Sequence, residues 1–145
     1  MGEATLKMMH SNQRGSVILE ALISMLLFSI GILAIVGLQA VSIKNVAAAK
    51  YRTDASLLVN QVIGQMWVSN KANATLVANF SSPTGANYAT WASAVAQALP
   101  GVSGIPANAP TIAIDANNNA TVTVFWQAPD EADTHNYTAI AVVTD

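Results

Sequence analysis

Hydrophobic and polar positions divide the chain into three regimes. A polar leader closes at Arg14-Gly15, and one carboxylate, Glu20, then heads a run in which the 18 residues from Ala21 to Leu38 carry no charge. At about 1.5 Å rise per residue such a run makes about 27 Å of helix, enough to cross the hydrocarbon core of a bilayer. From Gln39 to Ser69 the pattern changes without a break. There is no proline, the only glycine is Gly64, and Ala47, Tyr51, Ala55, Leu58, Val62 and Met66 recur at spacings of three or four. That is the stripe of an amphipathic helix, and Lys44, Lys50, Arg52, Asp54, Asn60 and Gln65 fall largely off it. One continuous helix from about Ser16 to Ser69 is therefore predicted, about 80 Å long at the same rise. A chain of this size cannot bury so long a helix, so its first half must find apolar surroundings outside its own fold.

The third regime is mixed. Asn70 to Ala86 is rich in Asn, Ser and Ala, contains Pro83 and Gly85, and reads as a connecting loop that Leu76, Val77 and Phe80 pin to the core. Tyr88, Trp91, Val95 and Leu99 mark a second, short amphipathic helix stopped by Pro100-Gly101, and residues 102–110 read as another loop. Strand patterns come next, at Thr111 to Asp115, at Ala120 to Gln127 and at Tyr137 to Thr144. In the middle one Val122, Val124 and Trp126 share a face; in the last, Ile140 and Val142 are expected to face the core. The fold class expected is α+β: a long N-terminal helix with a small antiparallel sheet packed on its second half.

Composition sharpens this picture. Of 145 residues 52% are hydrophobic and only 10% charged, against about a quarter in soluble domains. There is no cysteine, which removes disulfides, thiolate nucleophiles and Cys-based metal sites. Residues 1–15 carry a net charge of +1 and the remainder −3. A positive segment before an apolar run keeps the N-terminus in the cytoplasm and exports the C-terminal part of the chain. An acidic exported part argues against non-specific nucleic-acid binding.

The leader and the head of the apolar run together resemble the type IV pilin family. The residues that carry the resemblance are Arg14 and Gly15, Glu20 as the fifth residue after the glycine, and the continuation Ser29-Ile30-Gly31-Ile32-Leu33-Ala34-Ile35-Val36-Gly37-Leu38-Gln39, which is similar to minor pilins of the PilV type. Ser16 departs from the Phe usual at that position. The resemblance implies the pilin fold and three parts: a leader peptide (1–15), the transmembrane and assembly half of the long helix (16–38) and an exported domain (39–145). It implies cleavage by prepilin peptidase between Gly15 and Ser16, N-methylation of Ser16, and a role for Glu20 in attracting the terminal amine of a neighbouring subunit. The partners it implies are other minor pilins, the major pilin, a tip adhesin and the lipid of a bacterial inner membrane, with the exported domain in the periplasm until assembly into the filament. A minor pseudopilin of a type II secretion system shares all of this to about residue 70 and is the alternative.

Other readings have less support. A secretory signal cut near Ala47-Ala48-Ala49 competes for the N-terminus, but the apolar run exceeds a signal core and the alanines lie well past its end. Catalysis is not expected and no cofactor is implied: the histidines are His10, in the leader, and His135, near Asp130, Glu131 and Asp133, a cluster without the spacing of a calcium loop. A surface binding module would need an exposed aromatic or basic patch, whereas Trp91 and Trp126 fall on core faces and Trp67 ends the long helix.

Overall fold

The computed structural model describes residues 14–129 and 131–144. Its elements in order are α1 (Arg14–Val68), α2 (Asn73–Phe80), α3 (Ala86–Ala98), a 3-10 turn (Pro106–Asn108), β1 (Thr111–Ile114), β2 (Asn119–Trp126) and β3 (His135–Val142). The long helix expected from the hydrophobic pattern is a single element of 55 residues. By contacts the chain divides into two units, one ending at Lys44 and one beginning at Asn45.

The described part of the first unit is helix throughout, and none of its side chains from Gly15 to Lys44 is buried. In the second unit the predicted stripe becomes the core. Ala55, Leu58, Val62 and Met66 are buried together with Val59, which shares their face. Against them pack Leu76 and Phe80 of α2, Tyr88, Trp91 and Val95 of α3, and the inner face of the sheet.

The three strands form an antiparallel meander in the order β1-β2-β3. Period-2 alternation sends Ala120, Val122, Val124 and Trp126 of β2 into the core and leaves Thr121, Thr123 and Phe125 partly exposed. Polar groups that enter the core are satisfied: the Trp91 indole N–H donates to the Leu58 carbonyl at 2.9 Å and the Tyr88 hydroxyl to the Pro110 carbonyl at 2.7 Å. Burial pushes the Tyr88 phenol above its ordinary pKa.

Two expectations fail. Residues 73–80 are helix, not loop. Asn73 to Phe80 contains no glycine or proline, and its two large apolar residues, Leu76 and Phe80, stand one turn apart and are both buried, while Val77 is exposed. Pro83 and Gly85 act only after the helix has ended at Ser81. Gly85 is needed for a different reason: a Cβ there would lie 2.6 Å from the Asn79 carbonyl oxygen, so glycine lets α3 start against the end of α2.

The second failure is the face of β3. Ile140 and Val142 point away from the core, 70% and 49% exposed. Register explains it: Tyr137, Ala139 and Ala141 pair with Val124, Val122 and Ala120 and so share their inward face, while Ile140 pairs with outward Thr121 and Val142 with Asn119. The two inward alanines are smaller than the outward Ile140 and Val142, so hydrophobicity alone selects the wrong face. Val143, just past the strand, is fully buried and closes that end of the core.

This assignment predicts opposite outcomes for two apolar substitutions. Phe80→Ala should cost about 3–5 kcal/mol in urea unfolding of the full chain in detergent micelles, followed by tryptophan fluorescence. Ile140→Thr should stay within about 0.5 kcal/mol of wild type.

Candidate functional site

The residues singled out by the sequence lie at the start of α1. Among the described residues α1 runs from Arg14, so Gly15, Ser16 and Glu20 lie within two turns of one another on that helix, all three exposed. A Cβ at Gly15 would meet nothing within 4 Å, and the same holds at Gly31 and Gly37. Residues 1–13 of the leader, including His10, lie outside the described residues.

Beyond Glu20 the helix is apolar on every side. An 18-residue window reaches a mean hydropathy of 2.6 with none of it buried, so by length and composition α1 can cross a membrane. Phe28, Leu33 and Leu38 each expose at least 70% of their surface. The run also looks after its own polar groups. The helical ladder satisfies the backbone, and the Ser29 hydroxyl donates to the Met25 carbonyl at 2.8 Å, one turn back. Such a surface is suited to lipid or to the apolar faces of other helices, and it offers one charge, at Glu20, to whatever packs beside it.

The second unit holds two polar clusters. At the β2–β3 loop His135 stacks on Trp126 with ring centroids 5.8 Å apart, and its Nε2 lies 2.8 Å from Oε2 of Glu131. Arg52, Ala48 and Ala49 of α1 complete the wall of a cleft of about 400 Å³ there. Among the described residues no group of three His, Cys, Asp or Glu side chains is placed to hold a metal; Asp130 lies outside them. Trp67, at the end of α1, is 45% exposed, with the Lys71 ammonium 5.7 Å from its ring centre.

In the other cluster the turn after Asp115 was legible in the sequence, and its docking on α2 was not. The Asp115 carboxylate accepts hydrogen bonds from the main-chain N–H groups of Asn117 and Asn119 and from the Asn119 side chain, at 2.6–2.9 Å, closing the β1–β2 turn in which Asn118 takes a φ of 59°. That turn docks on the start of α2. The Asn73 amide donates to the Asp115 carbonyl and to Asn118 Oδ1, and the Asn118 amide to the Lys71 carbonyl. An aspartate two and four residues ahead of asparagines is the local signal for the turn; its long-range partner Asn73 carries no such signal.

No protein-family model, curated protein or solved structure matches the chain.

The Asp115 carboxyl is held below its ordinary pKa, first by the Asn119 side-chain amide and then by the Asn119 and Asn117 main-chain N–H groups, with desolvation opposing. A depressed folded-state pKa gives stabilisation that is complete above the unfolded value, about 3.9, and is lost as pH falls through the lowered folded value. Asp115→Ala should therefore lower the unfolding midpoint at neutral pH, and its deficit relative to wild type should narrow as the pH is taken below about 4. Thermal melts of both proteins across that range check it.

Proposed function

We propose that the chain is a minor pilin, a membrane-anchored structural subunit of a type IV pilus, cut after Gly15 by prepilin peptidase and carried into the filament on α1. The observation that supports this best is the coincidence on one helix of Gly15, Glu20 five residues later and an apolar surface that no described residue covers. In this reading Ser16 becomes the N-methylated terminus. The first half of α1 rests in the inner membrane before assembly and among the helices of other minor pilins and the major pilin afterwards. The exported domain, residues 39–145, includes the unit from Asn45 onward, which has its own core.

Glu20 gives that surface direction. A unit-charge pair at 4 Å is worth about 1 kcal/mol in water and about 4 kcal/mol at an effective dielectric of 20. The terminal amine of a neighbour is thus drawn to Glu20 most strongly inside an apolar bundle. An isolated carboxylate left there without its partner costs several kcal/mol.

Glu20→Val separates anchoring from assembly. It makes the run more apolar, so membrane insertion and leader cleavage should persist. Crosslinking to partner pilins and the number of surface pili should fall severalfold. Wild-type assembly by Glu20→Val would reduce Glu20 to a residue that merely favours the start of a helix.

A further inference from the structure

The cleft beside His135 has no part in the core or in the function proposed above. All of its lining residues belong to the unit that begins at Asn45, and its volume of about 400 Å³ falls in the range of small-molecule sites. One wall is a single face of α1, where Ala48 and Ala49 stand four and three residues ahead of Arg52. The other is the end of β2 and the loop after it: Trp126, Ala128, Glu131 and His135. Three alanines and the Trp126–His135 stack give the cleft an apolar body, and Arg52 and Glu131 give it one charge of each sign.

These two charges share a cleft without pairing. On α1 the neighbouring charges satisfy each other, Lys50 Nζ lying 3.5 Å from Asp54 Oδ2, while Arg52 makes no hydrogen bond or ion pair among the described residues. Glu131 engages His135 through Oε2 at 2.8 Å, which leaves Oε1 without a partner among them. The loop that carries this carboxylate is held from behind. Gln127 Nε2 donates to the carbonyls of Glu131 and Ala132 at 2.8 and 3.3 Å, and Glu131 N–H donates to the Ala128 carbonyl at 3.2 Å. Stacking on Trp126 fixes His135 in turn. A ligand therefore meets a carboxylate already in place and does not have to order the loop, which lowers the cost of binding.

We propose that this cleft binds a small zwitterion with an apolar body, the chemistry of a hydrophobic amino acid or dipeptide with free ends. The ligand carboxylate accepts two parallel N–H bonds from the Arg52 guanidinium, and the ligand ammonium donates to Glu131 Oε1. Its aliphatic part lies on the alanines and the Trp126–His135 stack. Charge complementarity selects this class. A simple anion would gain Arg52 and face Glu131, a simple cation would gain Glu131 and face Arg52, and a neutral apolar molecule would desolvate both charges without pairing either.

The test is calorimetric titration of the full chain in detergent micelles with leucine, with leucylleucine, and with the N-acetylated and C-amidated form of each. At least one of the two free zwitterions should bind saturably in the millimolar range or tighter, and the one that binds more tightly assigns the site to an amino acid or to a dipeptide. Blocking either end should weaken binding about tenfold, the worth of a hydrogen bond to a charged group. Arg52→Gln should abolish the preference for a free carboxylate, and Glu131→Gln the preference for a free amine. Ala48→Leu fills the cleft from an exposed helix position, so it should remove binding and keep the unfolding midpoint near wild type. Absence of saturable binding by either zwitterion would overturn the proposal. So would blocked ligands that bind as tightly as free ones, or binding unchanged in both Arg52→Gln and Ala48→Leu. The titration needs neither leader cleavage nor a filament, so its failure is distinct from a failure of the Glu20 experiment.

Discussion

An apolar helical surface that no described residue covers is the constraint on which the rest of this molecule depends. Burial of apolar area is worth about 25 cal/mol per Å², and the large apolar side chains from Val17 to Leu38 are left 46–72% exposed. A helix is the form that such a segment can take without water, because every interior backbone group is bonded within it. The segment is thus stable only in a medium that the chain does not supply. Lipid and the apolar faces of other helices are two such media, and exchange between them is inexpensive because both are apolar. In the function proposed above, the lone carboxylate at Glu20 is what makes the second medium selective.

The second half of the same helix solves the opposite problem. Its stripe from Ala55 to Met66 is buried by two short helices and the inner face of a three-stranded sheet, so the folded unit has a core of its own. Polar side chains then hold the pieces in place. Trp91 ties α3 to α1 through the Leu58 carbonyl, Asn73 and Asn118 tie the β1–β2 turn to α2, and Ser82 closes the β1 edge. The outer face of the sheet, with Ile140 and Val142, lies on the other side from this core.

Legibility in the sequence tracked the strength of each periodic signal. The long helix was readable because 3.6-residue periodicity continues from Ala47 to Met66 with no proline to interrupt it, and β2 because Val122, Val124 and Trp126 alternate with Thr121, Thr123 and Phe125. α2 was not, because asparagine and serine around it outweighed the single pair Leu76 and Phe80. The face of β3 was not, because its inward positions hold Ala139 and Ala141 and its outward ones Ile140 and Val142; only pairing with β2 decides between them. The Asn73–Asn118 bond spans 45 residues and leaves no local trace. Within the candidate site, Gly15 and Glu20 were legible as a spacing, and both lie exposed on α1.

The central claim is that the leader is removed while the apolar helix stays attached to the folded unit. Intact mass and N-terminal sequencing of the protein from membranes of cells that contain a prepilin peptidase test it most directly. The account predicts a chain beginning at Ser16, unmethylated or one methyl heavier, in the membrane fraction. A chain beginning near Ala49 and released from the membrane would contradict it.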